Sequence, residues 1–108
     1  MKVSELEGAA LDWAVANCEE LVSTNTKNLF EPWYLLRDYT PSTDWAQAGP
    51  IIEREGIAIY LYGDGEWQAV LEKEYAGPTP LIASMRCYVA SKLGDEVEVP
   101  EEVCDENL

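Results

Sequence analysis

Histidine is absent from all 108 residues, so the side chain best suited to moving protons near neutral pH is missing. Bases are scarce as well: seven Lys and Arg stand against 21 Asp and Glu, a net charge of −14. That imbalance repels phosphate backbones and anionic lipid heads and leaves no basic footprint, so direct nucleic-acid binding is not expected. Cysteine is limited to Cys18, Cys87 and Cys104, an odd, widely spaced set with no CxxC. The set reads as three reduced thiols, and without histidine it argues against a structural zinc site. No apolar run approaches the roughly 20 residues that cross a bilayer, and the charged start Met1 to Gly8 does not read as a signal peptide. A nucleophile elbow, a P-loop and a GxGxxG are also missing, and Glu53 and Glu55 sit two apart on an expected helix, on different faces. A non-enzymatic cytoplasmic protein without metal, cofactor or membrane contact is expected, as a monomer or small homo-oligomer.

What is present suffices for a core: 47% of the residues are hydrophobic and 10% aromatic. The acids are unevenly spread. Residues 95–108 hold seven acids and no base, whereas residues 1–94 hold fourteen acids and all seven bases. The expectation is one domain over 1–94 followed by an acidic, loosely held tail over 95–108.

Hydrophobic spacing sets the elements. Ser4-Glu5-Leu6-Glu7 has the form of a capping box, and Leu6, Ala10, Trp13, Asn17 and Leu21 step by four and three behind it. That predicts an amphipathic helix over about 4–22, with Asp12, Glu19 and Glu20 on its solvent side. A polar loop follows, then a short strand at Trp33 to Leu36. Ser42 or Thr43 is placed to cap a helical turn that Gly49 ends, and Pro50 to open a second short helix through Glu55. Ile57 to Tyr62 and Trp67 to Leu71 read as strands joined by the turn Gly63-Asp64-Gly65. Thr79 and Pro80 open a last helix with a stripe of Ile82, Met85, Val89 and Leu93, and Gly94 stops it. The sum is an α+β fold: a small antiparallel sheet of about three strands against two main helices plus short helical turns.

Two places carry the polar and aromatic mixture of a binding site. The loop with Thr43, Asp44, Trp45 and Gln47 offers a flat apolar face beside donors and acceptors. The start of the last helix, around Thr79, presents free amides to an anion, with Arg54 and Arg86 as charged partners. Together they suggest one pocket in which Trp45 stacks on a planar group, Asp44 and Gln47 read polar edges, and Arg54 and the helix start hold a negative charge. In the plainer alternative Trp45 is a core anchor, Asp44 a cap, and both arginines are spent on surplus acids.

Four segments occur in an order that resembles the NinX-like family, small accessory proteins of lambdoid phages and enterobacterial prophages. They are Leu11-Asp12-Trp13-Ala14-Val15-Ala16, Pro41-Ser42-Thr43-Asp44-Trp45-Ala46-Gln47, Gly49-Pro50-Ile51-Ile52-Glu53-Arg54-Glu55, and Gly77 to Ile82 continued through Met85 to Lys92. The resemblance implies a phage-encoded protein in the cytoplasm of an infected bacterium and supplies no catalytic mechanism. Three functions stay open: capture of a small anionic, nucleotide-like ligand as a counter-defence protein, an acidic module that blocks a host protein in the manner of a DNA mimic, or a minor enzyme or structural part.

Overall fold

The computed structural model describes residues 1–20, 38–100 and Val103. A single 3₁₀ turn, Val3–Glu5, precedes helix α1, Gly8–Cys18. Helix α2 is Trp45–Glu55 and helix α3 is Pro80–Leu93. Strands β1, Ala58–Tyr62, β2, Glu66–Val70, and β3, Glu74–Gly77, form an antiparallel sheet in the order β1-β2-β3. The α+β architecture is therefore as expected. The strand anticipated at Trp33 to Leu36 lies outside the described residues. The third strand of the sheet is β3, which the sequence left unassigned.

The first helix begins later than the capping box suggests. Val3 and Leu6 are fully buried beneath a turn of their own, the chain extends through Glu7, and Gly8 enters α1 at φ +58°. That left-handed conformation suits glycine and separates the turn from the helix. Asp12 is corrected outright. Far from facing solvent, it is 5% exposed, and its Oδ1 accepts from the Ser42 backbone N–H at 2.8 Å. A charge-based reading of the helix face cannot see a donor thirty positions away.

Helix α2 also differs. It runs unbroken through Gly49 and Pro50, with Asp44 as N-cap: its side chain accepts from the Ala46 N–H. Pro50 cannot donate to the Ala46 carbonyl four residues back. Ala46 and Pro50 are both exposed, so the missing bond falls on the solvent side, where it costs least, and the helix survives. Gly56 ends it at φ +72°, as the left-handed C-cap requires.

Helix α3 is the axis of the domain. It packs against all three strands, against α1, and against α2. Burial consequently runs through consecutive residues, Ala83 to Val89, where the sequence suggests a single stripe. Met85 and Val89 are buried as expected, Ile82 is half-buried, and Leu93 is exposed. A helix covered on several sides shows no single apolar face. The sheet reaches it very closely at Gly77, where an added Cβ would lie 2.7 Å from the Ala83 backbone nitrogen.

The acidic C-terminal stretch has a docked beginning. Val3 N–H donates to the Asp95 carbonyl, Val97 N–H to the Met1 carbonyl, and the N-terminal ammonium to the Val97 carbonyl. Val97 and Val99 pack on the core, and Val103 is fully buried.

Two expectations follow. Gly77→Ala forces backbone against backbone and should cost about 1–3 kcal/mol in a denaturant melt, as overpacking does. Burial raises the proton affinity of Asp12, against the opposing Ser42 contacts. A carboxyl so raised costs stability once the pH exceeds its unfolded-state value, about 3.9. Asp12→Asn keeps the acceptor for Ser42 N–H and puts a donor near the Ser42 hydroxyl, which is buried and has no hydrogen-bond partner among the described residues. The variant should melt higher than the parent at pH 7, with the gap closing as the pH falls through the aspartate range.

Candidate functional site

In the turn before α2, Gln47 holds the loop together. Its Oε1 accepts from Thr40 N–H at 2.7 Å. Its Nε2 donates to the Asp38 carbonyl at 3.0 Å and to Asp44 Oδ2 at 2.9 Å. Thr43 adds a hydroxyl contact to the Thr40 carbonyl at 3.4 Å. With Asp44 Oδ1 on Ala46 N–H, both side chains expected to read a ligand are occupied in shaping their own loop. Trp45 is different: at the first position of α2 it stands 55% exposed and anchors no core.

Arg54 lies nine residues further along the same helix, about 13 Å of axial rise from Trp45. Its guanidinium grips Glu19 with both ends, NH1 to Oε1 at 3.1 Å and NH2 to Oε2 at 2.6 Å. Nε donates to Glu55 at 2.8 Å, and NH2 also reaches the Tyr88 hydroxyl at 3.1 Å. The Tyr88 hydroxyl itself donates to Glu19 Oε2. Lys92 completes the group through Glu55 at 3.7 Å. The ends of α1, α2 and α3 are thus pinned by one charged cluster. The Arg54 hydrogen bond holds the Glu19 carboxyl below its usual range, burial opposing. Burial and the neighbouring Glu19 push the Cys18 thiol up to about 12, so it rests as a thiol, not a nucleophile.

At the entrance to α3, Thr79 accepts the Ile82 N–H at 3.1 Å as N-cap. Arg86, 8% exposed, donates from Nε to the Leu6 carbonyl at 2.8 Å and from NH1 to the Ala76 carbonyl at 2.9 Å. Burial depresses its proton affinity, with the Glu7 charge opposing. Arg86 lines an open depression of about 460 Å³ with Gly77 and Pro78, as a site at the helix start would need, but Asp64 and Glu66 line it too.

The seven residues singled out from the sequence therefore divide. Thr43 and the cap Asp44 meet Trp45 and Gln47 at the start of α2, Arg54 belongs to the helix junction, and Arg86 lies beside the α3 entrance that Thr79 caps. Arg54 contacts Tyr88, nine residues beyond Thr79 in α3, so Arg54 and Thr79 do not meet in one pocket.

The sheet carries a surface that the sequence reading passed over. Register places Tyr60 beside Gln68 and Ala76, and Tyr62 beside Glu66, all on the face opposite Ile59, Leu61 and Trp67. Tyr60 donates to Gln68 Oε1 at 2.8 Å. Tyr60, Leu61 and Tyr62 are all exposed, Tyr62 at 57%. The signal was visible: Ala58-Ile59-Tyr60-Leu61-Tyr62 has no charged residue to turn toward water on either face.

The family model for bacteriophage P22 NinX matches residues 2–92. The chain belongs to the bacteriophage P22 NinX family. The match spans α1, α2, the three strands and all of α3 but its last residue, and stops just before the acidic stretch. No curated protein matches the chain. Among the described residues, no helix of this NinX-family protein is long and apolar enough to cross a membrane.

The Glu19 carboxylate gives a pH signature. A carboxyl held below its usual range contributes stability that is present above the unfolded-state value, about 4.3, and is lost as pH falls through the lower folded-state value. Glu19→Gln should destabilise the domain by about 1 kcal/mol at pH 7, a modest figure because Arg54 is half exposed. Parent and variant melts should converge in acid.

Proposed function

We propose that this phage accessory protein works without catalysis, by binding a basic surface of another protein in the cytoplasm of the infected bacterium. The observation that carries the reading is how the charges are spent. Four of the five bases in the described residues are engaged internally: Arg54 on Glu19 and Glu55, Arg86 on two carbonyls, Lys73 on Asp95, and Lys92 on Glu55. A chain of net charge −14 has few cations left to offer an anion and a large surplus of acids to offer a cation. Capture of a small anionic ligand is the second reading, supported by Arg86 beside the start of α3 and opposed by Asp64 and Glu66 in the same depression. Blocking of a host protein, and with it a part in counter-defence, follows from the first reading if the basic target is bacterial.

Calorimetry on the purified protein separates the two. Lysine-rich peptides should bind with an affinity that falls as salt rises, while nucleotides and inorganic phosphate give no heat. Saturable nucleotide binding that Arg86→Gln abolishes, in a variant that still melts cooperatively, would transfer the function to the second reading.

A further inference from the structure

Resting on the protein-binding reading, we propose that β1 is a docking edge, where an extended, lysine- or arginine-bearing segment of the partner adds as a fourth strand to the sheet. Strand β1 is an edge of the sheet, and among the described residues no other strand pairs with its outer side. Edge strands normally carry a charge, a proline or a bulge that discourages pairing. This one has none: Ala58 to Tyr62 is uncharged, and its pairing with β2 is continuous over all five residues. The backbone groups along such an edge are the ones that strand addition uses.

Charge selects the occupant. From Gly56 to Glu72 the chain holds three acids, Asp64, Glu66 and Glu72, and no base. A second copy of the chain would bring a further −14 to the edge. A basic segment meets the opposite condition. On an added strand, alternate side chains fall on the open face beside Tyr60 and Tyr62. A lysine or arginine there lies against an exposed tyrosine ring, near the carboxylate of Glu66 in register with Tyr62. Apolar residues at the intervening positions fall on the other face beside Ile59 and Leu61, where Leu61 is still 55% exposed.

The probe is an eight-residue peptide alternating lysine and valine, tested against the full chain. Binding should slow amide exchange at the outward-facing amides of β1. It should be lost when alternate peptide nitrogens are N-methylated, because methylation removes strand hydrogen bonds and leaves the charge. It should also be lost for the glutamate–valine counterpart. Tyr62→Lys, at an exposed position, should weaken binding about tenfold. If that variant fails to melt cooperatively, the N-methylated peptide carries the test alone. Peptide binding that survives N-methylation, or that protects amides elsewhere, overturns strand addition and leaves the protein-binding reading standing. Outward amides of β1 that exchange slowly in the free protein show an edge already covered, by this chain or by a second copy, and also overturn it. Failure of every basic peptide to bind at any site removes both proposals.

Discussion

Arg86 carries a positive charge into the middle of the domain, and the layers meet around it. It projects from α3, the helix that touches every strand, and donates to the Leu6 carbonyl in the N-terminal segment and to the Ala76 carbonyl in β3. No carboxylate pairs with it among the described residues, so carbonyl dipoles do the work that a counter-ion does elsewhere. Removing those carbonyls would strand a desolvated guanidinium, one of the costliest defects a fold can carry. The consequence is geometric. Leu6 must lie over α3, which explains why the chain tucks Val3 and Leu6 under a separate turn before α1 begins. Ala76 must lie close as well, which brings β3 down until Gly77 touches the first turn of α3 and leaves no room for a side chain.

With α3 so enclosed, the remaining charges are pushed to the helix ends and the open side of the sheet. The junction of Glu19, Arg54, Glu55, Tyr88 and Lys92 pins three helices together and consumes two of the bases. Lys73 and Asp95 join the second hairpin to the segment after α3, and the Tyr75 hydroxyl also donates to Asp95. Cations are thus used for cohesion, and much of the acid surplus remains at the surface.

The elements legible in the sequence are those with a local cause. Gly63-Asp64-Gly65 sets its hairpin with two positive-φ glycines, Thr79 and Pro80 open α3, and Gly56 closes α2, each within a few residues of the signal. What sequence reading missed has a cause that is distant in the chain. The Ser42 amide draws Asp12 into the core from thirty residues away, and Glu19 claims Arg54 across thirty-five. Gly49-Pro50 has the local form of a break, yet the missing bond falls between exposed residues, Ala46 and Pro50, and the helix passes. Trp45 and Gln47 were singled out as ligand contacts, but spacing cannot say that Gln47 hydrogen-bonds within its own segment while Trp45 stays exposed. The seven candidate residues were chosen by chemical type. Their separation into three places follows from helix rise and partner choice, which only coordinates supply.

The acidity of the chain and the edge of β1, unpaired among the described residues, bear on one another. An uncharged, aromatic edge strand is a standing invitation to edge-to-edge pairing, and this chain lacks the inserted lysine or proline that usually forbids it. Its protection is carried by the molecule as a whole: two copies approaching through this edge bring −14 to meet −14. At physiological salt the screening length is about 8 Å, so distant charges contribute little, but Glu66 and Glu74 in the sheet and Asp64 in the turn after β1 act at close range. On the proposed strand addition, the field that opposes pairing between copies is the one that attracts a basic segment. A lysine or proline within β1 would protect the edge equally well against self-pairing, and would also close it to every partner. If β1 docks a partner strand as proposed, global negative charge leaves the edge available while restricting it to one sign of visitor, and the surplus of acids and the missing gatekeeper then have a common reason.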